Sequence, residues 1–152
     1  MKKVGILTFH DEPNYGAFLQ TYALYEAVKN LGYDVEIIDL RIKETYKFNF
    51  IVKLLSPIIR YFIFETARKK YLKRTVQTYH SSEELINNPP ECDVYILGSD
   101  QVWNKDITSE LKYSYFLDFI KESKMHFSYA SSFGMNDWNF DFFWHHFVNW
   151  YI

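Results

Sequence analysis

The sequence predicts an α/β domain, a Rossmann-like parallel sheet with flanking helices, and three observations carry that prediction. A short apolar run, Lys3 to Phe9, is followed by a helical periodicity and then by a second apolar run, Asp34 to Leu40. Strand, helix and strand in that order form a βαβ unit, which the handedness and burial rules place in a parallel sheet. Two further runs, Asp93 to Leu97 and Phe127 to Phe133, lie downstream with helical stretches between them. Alternating strands and helices are the mark of the α/β class.

Lys3 to Phe9 is mostly apolar with Gly5 inside it, as a buried central strand requires. His10 to Asn14 is a polar loop. From Tyr15 to Leu31 the residues Leu19, Ala23, Ala27 and Leu31 recur every four, with Leu24 and Val28 beside them, which makes one face of a helix. Asn14 is placed to cap its start and Gly32 to end it. Asp34 to Leu40 alternates, with Val35 and Ile37 inward and Glu36 outward, until Ile38 breaks the pattern. Phe48 to Arg74 reads as a helix interrupted at Pro57, because proline removes a donor and clashes with the preceding turn. Its end is basic: Arg68, Lys69, Lys70, Lys73 and Arg74. Ser81, Ser82 and Glu84 begin a short helix that Pro89 and Pro90 end.

The 152 residues suit one domain with a sizeable core. With 17 basic and 19 acidic side chains and a net charge of -2, nothing in the whole-chain balance calls for nucleic acid or an anionic membrane. One cysteine, Cys92, excludes an internal disulfide and any multi-cysteine metal site, and fits a reducing, cytoplasmic setting. The run Val4 to Phe9 is too short for a signal peptide. Lys53, Pro57 and Arg60 interrupt Phe48 to Phe64, so it does not read as a spanning helix. The basic run Arg68 to Arg74 reads as a solvated helix face or, more sharply, as a contact with an anionic membrane surface or a polyphosphate-linked substrate.

In an open parallel sheet, ligands bind beyond the carboxyl ends of the strands, and the unusual residues fall there. After the first strand come His10, Asp11, Glu12, Pro13, Asn14, Tyr15 and Gly16. Gly16 permits close approach, and the first helical N–H groups are free to meet an anion or a hydroxyl; alternatively Asn14 caps and Gly16 packs. No GxGxxG motif and no P-loop lysine is present, so a nucleotide reading has no motif behind it. After Leu97 come Gly98, Ser99, Asp100, Gln101, Val102, Trp103 and Asn104. An indole face stacks on sugar C–H groups while Asp, Gln and Asn take hydroxyls; alternatively this is a tight turn with Trp103 in the core. Ser131, Ser132, Phe133 and Gly134 form a third polar turn. His10, His80 and His126 are scattered and read as surface or packed histidines rather than metal ligands, and the adjacent pair His145 and His146 has poor metal-ligand geometry. Cys92 reads as a buried structural thiol.

Taken together, Gly5-Ile6-Leu7-Thr8-Phe9-His10, Asn14-Tyr15-Gly16-Ala17, Leu19-Gln20-Thr21-Tyr22-Ala23-Leu24, Val35-Glu36-Ile37-Ile38-Asp39, the run Asp93 to Asn104, Tyr115-Phe116-Leu117-Asp118-Phe119 and Ser128 to Gly134 resemble, in order, the N-terminal half of the polysaccharide pyruvyl transferase family. The resemblance implies two Rossmann-like halves facing a cleft, as in the GT-B glycosyltransferases. It implies transfer of a pyruvyl group from phosphoenolpyruvate, a donor substrate rather than a cofactor, to a saccharide or lipid-linked oligosaccharide acceptor. The donor is expected against the C-terminal half and the acceptor against this one. His10, Asn14, Tyr15, Gly16, Gln20, Gly98, Ser99, Gln101, Trp103, Asn104 and Ser132 are then expected to line the substrate, with Asp100 the catalytic candidate and no metal.

Residues 1–140 are the expected domain. From Asp141 to Ile152 the chain reads DFFWHHFVNWYI, with no lysine, alanine, leucine or glycine. Trp138, Trp144 and Trp150, three of the four tryptophans, crowd this end. This stretch departs from the charged amphipathic helix that the resemblance leads one to expect. It reads as an aberrant aromatic tail, frameshifted or truncated, which would leave an inactive fragment. A GT-B-type glycosyltransferase and a non-catalytic binding module are the competing readings.

Overall fold

A computed structural model of the chain describes residues 1–41, 52–121 and 123–134, the side chains of 52–58 excepted. The strands are β1 (Lys3–Leu7), β2 (Asp34–Leu40), β3 (Arg74–Tyr79), β4 (Val94–Leu97) and β5 (Met125–Ser128). They form one sheet in the order β3-β2-β1-β4-β5, and every pairing is parallel. The helices are α1 (Tyr15–Asn30), α2 (Val52–Tyr71), α3 (Ser82–Asn87) and α4 (Lys105–Thr108), with two 3₁₀ turns after α4. The α/β, Rossmann-like class read from the sequence is the observed one.

β1 is central, with β2 on one side and β4 on the other. Its residues alternate between two cores. Val4 and Ile6 join Val35, Ile37 and Ile96 beneath Leu24, Tyr25 and Val28 of α1. Leu7 joins Ile38, Leu40, Tyr95 and Leu97 against Leu85, Leu111 and Tyr115 on the opposite face. Right-handed crossovers explain the division, since β1 to β2 and β3 to β4 travel in opposite directions across the sheet. Gly5 has a packing reason: a Cβ there would lie 2.8 Å from Cys92 Sγ and 3.3 Å from Ile38 Cδ1. Among the described residues, the α1 face is open over β4 and β5. There Ala23, Ala27, Leu31, Val94, Met125 and Phe127 line an apolar groove of about 720 Å³.

Several expectations need correction. Glu36 does not point to solvent: it is 6% exposed, and its Oε1 meets Lys3 Nζ at 2.8 Å. A parallel sheet is covered on both faces, so alternation no longer separates inside from outside. The expected helix to Arg74 stops at Tyr71, and Arg74 begins β3, an edge strand not foreseen. The helix begins at Val52, so Pro57 falls in its second turn and removes one bond without ending it. The residues of the expected helix before Val52 lie outside the described residues, as does the tail from 141 to 152. The basic run is not one cationic face. Arg68 is 0% exposed and Arg74 is a half-buried strand residue, because both turn inward to carboxylates. The last strand is Met125–Ser128, starting two residues before Phe127. Its early end follows from Ala130 at φ 49°, which turns the chain out of extended geometry.

Cys92 is buried, and burial first, then the nearby Glu36 charge, pushes its thiol up to about 12. A thiolate is the reactive form. Cys92 is therefore expected to ignore a disulfide reagent such as DTNB in the native protein at neutral pH, and to titrate one equivalent in denaturant. Rapid native labelling would show that this side of the core opens.

Candidate functional site

β1 and β4 are neighbours, but the chain leaves β1 towards β2 and leaves β4 towards β5. That is a topological switch point, where the two outgoing loops part and leave a crevice at the carboxyl edge. The loops are joined at their base. Thr8 Oγ1 donates to Ser99 O at 2.8 Å. Gln20 Nε2 donates to Thr8 Oγ1 at 3.0 Å, and Ser99 Oγ donates to Gln20 Oε1 at 2.6 Å. Gln20 stands in the second turn of α1, so one side chain ties helix, β1 and β4 together.

The loop after β4 needs unusual backbone. Gly98 has φ 104°, and a Cβ on it would strike Tyr129 O and Ser131 Oγ. The Gly98–Ser99 peptide is cis, and Asp100 has φ 96°. Asp100 N–H and C=O face the β5 loop: Asp100 bridges Ser131, and Ser132 N donates to Asp100 O at 2.9 Å. The Asp100 side chain is half-buried, and its Oδ1 accepts from Gln101 N at 2.7 Å. Its Oδ2 has no hydrogen bond among the described residues.

The expected site residues divide into two groups. Asn14, Tyr15, Gly16, Gln101 and Ser132 are exposed at the edge with the half-buried Asp100. Asn14 caps α1, its Oδ1 accepting from Gly16 N at 2.7 Å. Tyr15 is 72% exposed and sets its ring edge against Phe64. The others serve the scaffold. Gln20 and Ser99 are engaged as above. Asn104 is buried and caps α4, with Oδ1 accepting from Asp106 N at 3.1 Å. Trp103 donates Nε1–H to Tyr115 O at 3.1 Å and packs between Phe116 and Phe133. That is the core alternative to a sugar platform. His10 is 1% exposed, with Nε2 donating to Asp39 Oδ1 at 2.9 Å and Nδ1 facing Thr8 O at 3.3 Å. It is closed to a ligand because its partner lies inside.

A cluster under the β1 loop went unforeseen. The Asp39 carboxylate receives His10 Nε2, Arg41 Nε at 2.8 Å, Arg41 Nη2 at 3.0 Å and Thr78 Oγ1 at 3.0 Å. Burial alone would raise its pKa, but the bonds from His10 and Arg41 outweigh burial and hold the carboxyl well below the usual range. Arg68 reaches from α2 to the loop, with Nη1 3.3 Å from His10 O and 3.4 Å from Glu12 O. Its Nε donates to Glu65 Oε2 at 3.1 Å, and Nη2 stands 3.5 Å from Asp11 Oδ1. Glu65 also accepts from Arg74 Nη2 at 2.7 Å. Against burial, those bonds from Arg74 and Arg68 hold Glu65 low as well. The sequence signal was the pair Asp39 and Arg41 at a strand end.

Among the described residues no group of three or more His, Cys, Asp or Glu could hold a metal ion, and no helix is long and apolar enough to cross a membrane. A family model described as Polysaccharide pyruvyl transferase matches residues 14–149, running past residue 140. No curated protein and no solved structure matches the chain.

Arg68→Met is expected to lower stability by about 3–5 kcal/mol in urea titrations, since it strands buried acceptors and carboxylates. The acid limb should also be steep. Asp39 and Glu65 are depressed in the folded state, so their stabilisation is complete above the unfolded values, about 4. It is lost as pH falls below that. Asp39→Asn is expected to be less stable at neutral pH and to show a shallower loss of stability below about pH 4. Equal slopes for both proteins would remove Asp39 from the account.

Proposed function

This chain belongs to the polysaccharide pyruvyl transferase family, and from that we propose that its carboxyl-edge crevice is the acceptor wall of an enzyme using phosphoenolpyruvate as donor. The chemistry is ketal formation. The methylene carbon of the donor takes a proton, one sugar hydroxyl oxygen bonds to the adjacent carbon, and a second hydroxyl oxygen displaces phosphate there. Of the two hydroxyl protons, one ends on the new methyl group and the other on phosphate. The acceptor is a saccharide of a cell-surface polysaccharide, reached from the cytoplasmic side of the membrane.

The observation that carries the reading is the Asp100 carboxylate at the switch point, with Oδ2 open to accept a hydroxyl proton. A general base must lie within hydrogen-bond reach of the proton it takes, and the crevice edge also offers Gln101 and Ser132 to neighbouring hydroxyls. Donor binding needs cations for a carboxylate and a phosphate. Arg41, Arg68 and Arg74 are committed to Asp39 and Glu65, and Arg60 is exposed on α2. This supports a division in which the donor is held by a second, C-terminal half and residues 1–152 alone do not turn over.

The test separates binding from turnover. With a panel of mono- and oligosaccharides, the chain is expected to give ligand-detected NMR signals that Asp100→Asn weakens about tenfold, on the order of one good charge-assisted bond. The melting temperature should be preserved. With phosphoenolpyruvate added, no phosphate should be released. Saccharide binding that ignores Asp100→Asn would refute the assignment of Asp100. Phosphate release at an enzymatic rate would refute the division of labour.

A further inference from the structure

The solvent side of α2 carries an apolar ridge. Ile59, Phe62 and Ile63 are 56%, 65% and 57% exposed, and at spacings of three and four they lie on one helical face. Exposed apolar groups clustered in this way mark a contact surface. Arg60, Lys69 and Lys70 are exposed on the same helix. The only acid between Ile59 and Tyr71 is Glu65, and it is turned inward to Arg68 and Arg74. The outer side of this stretch therefore presents apolar side chains and positive charge, with no exposed carboxylate of its own.

We infer that this ridge seats the protein on an anionic phospholipid surface. Phe62, Ile59 and Ile63 enter the headgroup boundary, while Arg60, Lys69 and Lys70 meet lipid phosphates. The charge pattern selects this occupant over a second copy of the chain. A two-fold contact through the ridge would bring the same patch, with its three cations, against itself. The contact also has a defined relation to the crevice. Phe64, next to Ile63, packs on Tyr15 at the start of α1, with ring centroids 5.0 Å apart, and α2 follows the carboxyl end of β2. The ridge thus lies towards the sheet edge that carries Asn14 and Asp100. It differs from the basic run read from sequence, since Arg68 and Arg74 take no part.

The experiment is sedimentation of the 152-residue chain with vesicles of phosphatidylcholine containing phosphatidylglycerol, against phosphatidylcholine alone. Binding is expected only with the anionic vesicles, and should fall steeply with salt. The double variants Phe62→Gln/Ile63→Gln and Lys69→Glu/Lys70→Glu should each weaken it about tenfold or more. Both should keep the wild-type circular dichroism spectrum and melting temperature, because every changed side chain is exposed. Absence of binding to anionic vesicles, or binding that neither variant weakens, overturns the inference. So does self-association in light scattering that Phe62→Gln/Ile63→Gln abolishes without any vesicle binding, which would make the ridge an interface between copies. The vesicles hold neither donor nor saccharide, so the outcome is independent of the transfer chemistry.

Discussion

Asp39, one residue before the end of β2, holds its carboxylate inside the protein, and the carboxyl edge of the sheet is arranged around that charge. An isolated carboxylate there would be expensive to bury. Here it meets His10 from β1's extension, Arg41 from its own strand end and Thr78 from β3. Three neighbouring strands thus send a donor to one anion, which fixes the relative height of their ends. Arg68 extends the arrangement to α2 by holding the carbonyls of His10 and Glu12. The loop that presents Asn14 and Tyr15 is therefore held from beneath by charge as well as by the packing of Phe9 and of Tyr15 on Phe64. Buried ion clusters of this kind are seldom the most stable filling for a space. Their use here is positional.

A second, neutral arrangement governs the other half of the crevice. Thr8, Gln20 and Ser99 satisfy one another in a closed set of hydrogen bonds. Satisfied networks rigidify, whereas half-satisfied ones are costly. The loops after β1 and β4 are thereby fixed relative to each other before any ligand arrives. Asp100 can then sit at a positive φ without drifting, because its neighbours on both sides are bonded to fixed groups.

Sequence reading recovered β1, α1, β2 and β4 because each carries its signal locally, in apolar runs, a helical period and Asn14 as cap; the face of α1 was misplaced, since Leu19, Ala23, Ala27 and Leu31 are exposed while Leu24, Tyr25 and Val28 face the sheet. β3 was missed. Its RTVQTY run follows a lysine-rich helix end, and Val76 is fully exposed on an edge, so burial patterning gives no cue; the β-branched content was the remaining one. Glu36 misled because alternation is informative only when one face is wet. At the site, the Gly98 to Asn104 motif was visible as unusual chemistry. Whether Trp103 faced a ligand or the core stayed open, since its partners Tyr115 and Phe133 arrive from later in the chain. The ionic cluster was the least legible part. Asp39 and His10 are 29 residues apart and Arg68 and His10 are 58 apart, and only the folded sheet shows that they meet.

The strand order also has a consequence for biosynthesis. β1 is made before the other four described strands and is the central strand of their sheet, yet one of its two neighbours, β4, does not begin until Val94. Until then a nascent chain holding β1, β2 and β3 presents β1 as an open edge, with Val4, Ile6 and Leu7 beside unpaired backbone groups. Such an edge is a template for wrong partners. Lys2 and Lys3 at its start and Gly5 in its middle are features that discourage premature pairing with another chain. The residue that leaves room for Cys92 in the finished core thus also weakens the strand's appetite for strangers while the ribosome is still at work.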